Sequence, residues 1–423
     1  MIIMLIKNGE KHIQEYANTA YPYALQQVSE RVLFVTGLSH SNCIVIEGDT
    51  SLILIDALDS DARALRLKEI LAKRTKKVVK TLIYTHGHPD HRGGSGAFAD
   101  SVETIIMSEV KGGKLSHYDA LNDVLKKRTS YQFGTSLNDD ECITQGLGIR
   151  EGYIVKDGVY AFLTPTTLLR NEVEECMIDG VSFTFVSAPG ETNDQMFIYL
   201  KEDKVLCCGD NYYGCFPNLY ALRGSQYRDI GAWIDSLSKM LEYPSEILLP
   251  GHTRAIFTHQ QIQEVLTNYR DAISFVLHQT LFYINQGCSM SETVEHVVLP
   301  SRFTSLPYLQ EFYGCVEWAV KGIYSGYVGW FDGNPVHLHP LADHVYDEKL
   351  VALIGKEKVF AEVKDAFAKE DYTYVLQLCE MLLHVAPVDT EVLAYKKKAL
   401  LALAKLETSS CGRNYYLSCA QAY

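Results

Sequence analysis

The stretch Thr85-His86-Gly87-His88-Pro89-Asp90-His91-Arg92-Gly93-Gly94 follows directly on the apolar run Val79–Tyr84. That run predicts a buried β-strand, so the loop after it carries three imidazoles and one carboxylate within six residues. Nitrogen and oxygen donors packed this closely are the ligands that zinc selects in proteins. The first two histidines can face one ion while Asp90 and His91 face another, so the stretch predicts a dinuclear metal site.

A purely structural role is the alternative, in which the three histidines only form hydrogen bonds within a loop. Three imidazoles this close would repel one another on protonation, which disfavours that alternative. The glycines around them let the backbone approach without a Cβ in the way. The pattern therefore favours a metal site.

Patterns on either side of this stretch predict an α/β fold. Apolar runs at 43–46 and 51–55, joined by Glu47-Gly48-Asp49, predict a β-hairpin, and residues 59–75 have helical spacing. Strands that alternate with helices and hairpins are typical of the α/β class. The other predicted elements are strands at 181–186, 196–200, 205–208 and 246–249, and helices at 230–243 and 259–288.

The remainder of the chain divides into a loop-rich region and a helical tail. The stretch 110–170 is irregular and glycine-rich, so we expect long loops that help to shape a substrate pocket. From about residue 350 an amphipathic pattern predicts helices to near residue 406. We therefore predict a catalytic domain over residues 1–345 and a separate helical domain over residues 346–423.

Bulk composition limits the classes of partner. The formal charge of −13 argues against a nucleic-acid binder and against attachment to anionic lipid. Eleven cysteines lack any C-x-x-C spacing, and the apolar opening Met1–Ile6 is too short for a signal peptide, so we expect a reducing, cytoplasmic location. No window has the 18 or so apolar residues that a membrane span requires.

Two metal ions need more ligands than one loop supplies, and three further candidates each follow an apolar strand. They are Glu191 after 181–186, Asp210 after 205–208 and His252 after 246–249. A single carboxylate in such a place is often a helix cap or a solvated turn. The repeated position after a strand favours metal ligands.

The H-x-H-x-D-H pattern resembles the signature of the metallo-β-lactamase superfamily, and further motifs narrow the resemblance to its alkylsulfatase branch. That branch carries P-x-x-E-A-P-A-E-M, A-E-N and N-L-Y-T-L-R-G where this chain has Ala188–Met196, Asp210-Asn211 and Asn218–Gly224. The likeness extends from about residue 30 to the end. It implies a metallo-β-lactamase αββα sandwich followed by a C-terminal all-helical domain.

The resemblance also implies a metal site with two Zn²⁺ ions per subunit. In the family, the glutamate that matches Glu191 completes the site of the first two histidines, and the carboxylate that matches Asp210 bridges both ions. The implied ligands are His86, His88, Asp90, His91, Glu191, Asp210 and His252.

The resemblance assigns the sulfate group to Arg223, whose planar guanidinium suits an oxyanion; the alternative is an ordinary surface ion pair. We expect Asp90 and Arg223 to act in catalysis. The residues expected to contact the substrate, beside Arg223, are Asn218, Tyr131, Trp318 and Trp330, although aromatic side chains are more often core. Residues 360–403 and the ending Arg413–Gln421 resemble the family's helical dimerisation domain, which implies a homodimer.

These features predict a dinuclear zinc hydrolase that cleaves alkyl or aryl sulfate esters with a hydroxide held by the metals. The alternatives are hydrolysis of a phosphoester, thioester or lactone, a di-iron redox protein, and a metal-stabilised binding protein. The di-iron alternative is disfavoured because its relatives carry His-x-Glu in place of the first His-x-His pair.

Three departures from the family leave the substrate open. Thr192–Gln195 replaces A-P-A-E, Asp210 is shorter than the family's glutamate, and Trp318 stands where the family has a histidine near the leaving group. A sterol-carrier-like domain, which often follows in the family, is not expected after the helical tail, and this disfavours the capture of long aliphatic chains.

Overall fold

The computed structural model describes residues 8–110 and 115–423, and the opening run Met1–Ile6 lies outside them. The described strands form two mixed sheets of seven and six strands. The strands are β1 Ala24–Gln27, β2 Val32–Thr36, β3 Cys43–Glu47, β4 Leu52–Ile55, β5 Val79–Tyr84, β6 Thr104–Ser108, β7 Thr167–Leu169, β8 Val173–Ile178, β9 Val181–Ser187, β10 Met196–Leu200, β11 Val205–Gly209, β12 Ile247–Pro250 and β13 Ile256–Phe257.

The first sheet has the order β1-β2-β3-β4-β5-β6-β7. Its first four strands are antiparallel, and β4 to β7 run parallel. The predicted hairpin is confirmed, because β3 and β4 pair with Ile44 opposite Ile55 and Glu47 opposite Leu52. The parallel strands β4 and β5 end at the same edge of the sheet, so the residues that follow them meet there.

The second sheet has the order β13-β12-β11-β10-β9-β8. The predicted strands at 196–200 and 205–208 are confirmed as β10 and β11, which form a hairpin with Leu200 opposite Val205. Only β11 and β12 are parallel among the described pairs of this sheet, so both end at one edge. Asp210 and His252 follow these two strand ends.

The described helices cover both outer faces and form the C-terminal module. They are α1 Gly9–Ala20, α2 Asp61–Arg74, α3 Pro89–Arg92, α4 Asn122–Gln132, α5 Ile230–Leu241, α6 His259–Asn285, α7 Met290–His296, α8 Ser301–Thr304, α9 Val316–Val328, α10 Asp343–Ile354, α11 Lys356–Ala368, α12 Tyr372–Val385, α13 Thr390–Leu406 and α14 Ser410–Ala420.

Three apolar layers hold the sandwich together. The inner faces of the two sheets share one buried cluster, which includes Phe34 and Ile83 from the first sheet and Phe185 and Ile198 from the second. On the outside, α2 packs on the first sheet, and α5, α6 and α9 pack on the second. Each fully buried aliphatic or phenyl side chain contributes roughly 1.5–3 kcal/mol. The predicted αββα sandwich and helical tail are thus confirmed.

The C-terminal module has its own core and closes back on the catalytic part. Helices α10 to α13 share a buried cluster, whereas α14 packs on α4 and α13. Asn414 donates to the Thr144 carbonyl at 3.1 Å, and Ser409 donates to the Tyr313 carbonyl at 2.6 Å. The predicted division between residues 345 and 346 stays a prediction.

Two further findings concern the chain as a whole. All eleven cysteines lie within the described residues, and all are free thiols. Among the described helices, none combines the length and the apolar character that crossing a bilayer demands.

Candidate metal centre

The histidine loop is fixed by close backbone packing. Strand β5 ends at Tyr84, and α3 begins at Pro89, which suits the first turn of a helix. A Cβ on Gly93 would lie 2.2 Å from the Asp59 carbonyl oxygen, so only glycine fits directly behind the loop. This packing places His86 and His91 in the interior, each with 0% exposure.

Asp56, directly after β4, orients the loop. Its Oδ2 accepts from Nδ1 of His91 at 2.7 Å and from Oγ1 of Thr85 at 2.8 Å, and its Oδ1 accepts from the Thr85 amide at 2.8 Å. Because Nδ1 of His91 is held by this carboxylate, Nε2 points into the site. An imidazole that donates to a carboxylate in this way is typical of metal-binding histidines.

The side chains of the predicted ligands converge from four stretches of the chain. Nε2 of His91 lies 3.4 Å from Oδ2 of Asp90 and 3.4 Å from Oδ2 of Asp210. Nε2 of His252 lies 3.4 Å and 3.3 Å from the same two oxygens, and Nε2 of His86 lies 3.7 Å from Asp210. Within the described residues, three groups have potential ligand atoms within 4.8 Å of one another: His40, Asp90 and His252; His86, His91 and Asp210; His88, Glu191 and Asp210.

The donors in this cluster fit metal ions. Nε2 of His86, Oδ1 of Asp210 and Oε2 of Glu191 are buried, and within the described chain none has a hydrogen-bond partner. A buried polar atom without a partner is costly, so three such atoms on side chains of one cluster indicate a site for a cation. Imidazole and carboxylate together suit zinc and the other first-row divalent metals.

The electrostatics of the cluster also indicate a cation. Burial opposes ionisation of Asp90 and Asp210, but neighbouring imidazoles outweigh it and hold the pKa of both carboxyls well below the usual value. Burial also opposes protonation of His252, yet Asp210 and Asp90 raise its pKa to about 10. Positive charge therefore stabilises the two ionised carboxylates, and a cation bound among the imidazole nitrogens would supply it.

Glu191 follows β9 through Ala188-Pro189-Gly190 and is held by an arginine. Nη1 of Arg228 donates to Oε1 of Glu191 at 2.9 Å, and the same nitrogen donates to the Asn218 carbonyl. Burial raises the pKa of Glu191 to about 7, against the opposing effect of Arg228. One carboxylate oxygen is thus fixed, and the other faces the cluster.

Arg223 lies at the edge of the cluster. Its Nη2 is 3.3 Å from Nε2 of His88, and its amide donates to Oε1 of Gln132 at 2.8 Å. Burial lowers the pKa of His88 well below its usual value, and the charges of His86 and Arg223 add to that effect. The His88 imidazole is therefore neutral, and the Arg223 guanidinium lies against it at the edge of the cluster.

The other residues expected to contact substrate lie in different surroundings. Asn218 is buried, and its backbone amide donates to the Tyr213 hydroxyl at 2.6 Å. Tyr131 on α4 packs edge-on against Tyr415, and Trp318 on α9 packs beside a buried cluster that includes Tyr313. Trp330 follows α9, is 72% exposed and packs against Phe331. Their roles in substrate binding stay predictions.

Sequence reasoning did not identify two buried residues of the centre, His40 and Arg228. His40 lies in the loop between β2 and β3; its Nδ1 donates to the Ile149 carbonyl at 2.9 Å, and burial lowers its pKa to about 4. A lone histidine in Ser39–Asn42 and an arginine outside any motif give little signal. The sequence signal for His40 was its position in a polar run between two apolar strands, at the sheet edge that also carries the histidine loop.

Comparison with known proteins agrees with this geometry. The family model of the metallo-beta-lactamase superfamily matches residues 36–252, and that of alkyl sulfatase dimerisation matches residues 289–423. A linear primary-alkylsulfatase of Pseudomonas sp. (strain ATCC 19151) is 30% identical over 391 residues, which cover 89% of this chain and 72% of that protein. The alkyl/aryl-sulfatase BDS1 of Saccharomyces cerevisiae is 32% identical over 410 residues, covering 93% of this chain and 63% of that protein.

A solved structure is similar over nearly the whole chain. The stereoselective inverting sec-alkylsulfatase Pisa1 from Pseudomonas sp. superposes with a TM-score of 0.86 at 25% identity, covering 97% of this chain and 67% of that one. This chain thus spans about two thirds of the length of its relatives. The chain belongs to the metallo-beta-lactamase superfamily and, within it, to the alkylsulfatases that carry the alkyl sulfatase dimerisation domain.

Proposed function

We propose that the chain is a dinuclear zinc hydrolase that cleaves the sulfate esters of alkyl or aryl alcohols. The observation that carries this proposal is the position of Arg223, whose Nη2 lies 3.3 Å from Nε2 of His88 at the edge of the metal cluster. A guanidinium beside a metal site presents paired donors to an oxyanion at the point where metals can act on it. A sulfate ester has the matching charge and geometry.

The residues that would hold the two ions form two sets, by the resemblance to the family. His86, His88 and Glu191 would bind one ion, and Asp90, His91 and His252 would bind the other. Asp210 lies close to both sets, with its Oδ2 3.7 Å from Nε2 of His86 and 3.4 Å from Nε2 of His91. Bound there, two zinc ions would supply Lewis acidity, which lowers the pKa of water toward about 7 and compensates charge on the leaving oxygen.

The protein's own part in the reaction is orientation and charge placement. Arg223 would hold the sulfate so that its ester bond points into the cluster. Asp56 would hold His91, and Arg228 would hold Glu191, in the orientation that metal binding needs. Each does so through a hydrogen bond to the ring nitrogen or carboxylate oxygen that is not used for the metal. Asp90 lies within 3.4 Å of both His91 and His252, so it would tie that half of the site together during turnover.

The relatives support the ester class. The proteins described as linear primary-alkylsulfatase, alkyl/aryl-sulfatase and (R)-specific secondary-alkylsulfatase are similar to this chain over 89–93% of its length. Their names include primary, secondary and aryl substrates, so they favour a sulfate ester without selecting the alcohol.

A homodimer is part of this proposal. Within the match to alkyl sulfatase dimerisation, large apolar side chains are exposed over residues 327–354, including Trp330 at 72% and Leu353 at 82%. Exposed apolar side chains in such number mark interaction surfaces. We therefore assign the interface to this segment as well as to the C-terminal helices. A reducing, cytoplasmic location also belongs to the proposal, and eleven free thiols support it.

The test is a substrate panel on zinc-loaded full chain. Medium-chain alkyl and aryl sulfates should release sulfate, and the matched phosphoesters, thioesters and lactones should be poorer substrates. In ¹⁸O-labelled water, label in the sulfate indicates S–O cleavage, and label in the alcohol indicates C–O cleavage. Hydrolysis of a phosphoester, thioester or lactone without release of sulfate from any sulfate ester would overturn the proposal.

A further inference from the structure

His40 lies in the metal cluster although no motif of the chain includes it. It is 4% exposed, and a ligand atom of its ring lies within 4.8 Å of those of Asp90 and His252. Nδ1 donates to the Ile149 carbonyl at 2.9 Å, so Nε2 is the nitrogen left for the cluster. The geometry points to His40 as an additional ligand of the ion held by Asp90, His91 and His252, an inference that rests on the proposed metal site.

The orientation of His40 matches that of the two histidines assigned to this ion. Nδ1 of His91 is held by Asp56 at 2.7 Å, and Nδ1 of His252 is held by the His40 carbonyl at 2.9 Å. All three rings therefore engage an oxygen through Nδ1 and present Nε2 to the site. Metal-binding histidines almost always use the second nitrogen in this way, because it sets the tautomer and the ring plane.

The backbone around His40 is too closely held for this position to be incidental. The His40 amide donates to Oδ2 of Asp59 at 3.0 Å, and a Cβ on Gly148 would lie 2.0 Å from the His40 carbonyl oxygen. Oδ2 of Asp59 also forms a buried ion pair with Arg63 at 2.6 Å. His40 is thus anchored at its amide, its carbonyl and its ring.

The adjacent loops tie this anchor to the metal loop. Oγ of Ser41 donates to the Asp90 carbonyl at 2.6 Å, and the Asn42 side chain donates to the Pro250 and Thr253 carbonyls on either side of His252. A shift of the β2–β3 loop would therefore move Asp90 and His252 with it. The loops that carry His40, Asp90 and His252 are therefore held in fixed positions relative to one another, as residues that bind one ion must be.

An added imidazole raises the protein ligands of this ion from four to five, with Asp210 included. Zinc in structural sites is four-coordinate, and catalytic zinc sometimes expands to five. Metals with a preference for higher coordination gain from a fifth protein donor, since the geometry and type of ligands govern selectivity. We therefore expect His40 to tighten binding at this half of the site and to broaden its choice of metal.

The test uses Co²⁺ as a spectroscopic probe on the full chain. ¹⁵N-histidine-labelled, Co²⁺-loaded protein should show one more contact-shifted imidazole N–H, a shift that is transmitted through a metal–nitrogen bond, than the four histidines of the proposed ligand set supply. In chelator competition, His40→Gln should weaken one Co²⁺ equivalent at least tenfold and leave the other unchanged, with an altered d–d spectrum. The control is His384→Gln on α12, which pairs with Asp347 far from the cluster in sequence and should change neither.

The outcomes separate this inference from the proposed function. Two bound Co²⁺ ions with only four shifted imidazole protons would overturn the role of His40 and leave the dinuclear site intact. Failure of the parent protein to bind Co²⁺ at the cluster would overturn both. The resonance count needs no variant, so it decides the question even if His40→Gln does not fold.

Discussion

Nη1 of Arg228 donates to Oε1 of Glu191 across 2.9 Å, and both side chains are buried, with 5% and 2% exposure. The pair holds a carboxylate whose second oxygen faces the metal cluster. Arg228→Met would leave that carboxylate buried without its cation, so protonation would compete with metal binding. We expect a roughly 10- to 100-fold loss of affinity for one of two zinc ions, measured by chelator competition.

The matched control for this prediction is Arg170→Met. Arg170 forms an exposed ion pair with Glu109 and should leave metal affinity unchanged. Equal zinc affinity in Arg228→Met and the parent protein would show that Arg228 does not support Glu191 as a ligand.

Arg223 is expected to act on the substrate and not on the metals. Arg223→Ala should lower kcat/KM for sulfate esters by about 100-fold or more, because it removes a charged donor from the reacting group. Arg223→Lys should restore only part of the loss, since an ammonium cannot form the paired bonds. Initial rates and zinc content, measured together, check both points.

A loss of zinc from Arg223→Ala in parallel with its activity would instead indicate a structural role. The surface variant Arg302→Ala is the control, because Arg302 packs over Phe303 on α8 and should retain full activity.

Glu407, after α13, gives the fold a predictable pH dependence. Burial raises its pKa to about 7, the Ser409 amide opposes this, and Glu311 adds to it. The folded protein therefore keeps a proton that the unfolded chain releases above about pH 4.5. The stabilisation is fully present below pH 4.5 and is lost as the pH rises toward 7. Over that range the free energy of unfolding falls by roughly 1–3 kcal/mol.

Glu407→Gln should remove that dependence. The amide oxygen can still accept from the Ser409 amide, which donates to Oε1 of Glu407 at 2.8 Å. The variant should be more stable than the parent at pH 8 and equal to it at pH 4.5, as measured by denaturant unfolding of equally metal-loaded proteins. Equal stability at both pH values would refute the assigned cause.

The exposed segment 327–354 makes dimerisation testable. The double substitution Trp330→Ser and Leu353→Ser removes two of its most exposed apolar side chains. We expect the dissociation constant of the dimer, measured by sedimentation velocity, to rise at least tenfold. The control is Met177→Ser, which alters a 68% exposed residue on β8 and should leave the dimer intact. A double variant that dimerises as tightly as the parent protein would exclude this segment as the interface.

Much of the fold was predictable because its core strands are uniformly apolar and its helices amphipathic. Strands β3, β5, β10 and β11 lie where their apolar runs predicted. Strand β8 was missed because, although it pairs with β9 along its whole length, it is a partly exposed edge strand with Glu174 and Glu175 at its centre. Its residues look like a loop until the partner is known.

One helix was missed where loops were expected, and the helices of the tail were predicted without their bounds. Helix α4 lies inside the stretch 110–170, where many polar residues obscured its periodicity. The tail was predicted as a helical module without the bounds of its helices, which break where Gly355 adopts a φ of 99° and at the turns before α12 and α13. A change of direction between helices depends on how they pack, which periodicity alone does not report.

The site was predictable where residues follow strand ends, since parallel strands deliver such residues to one edge. Asp210 and His252 met the histidine loop for this reason. Arg228 and His40 were missed, because their contacts are with Glu191 and Ile149, which are distant in sequence.

Anomalous diffraction at the zinc edge from crystals of the full chain tests the central claim most directly. We predict two peaks about 3.5–4 Å apart. One should contact His86, His88 and Glu191, and the other Asp90, His91 and His252, with Asp210 touching both. A map with a single peak, or with none among these side chains, would contradict the dinuclear site on which the proposed hydrolysis depends.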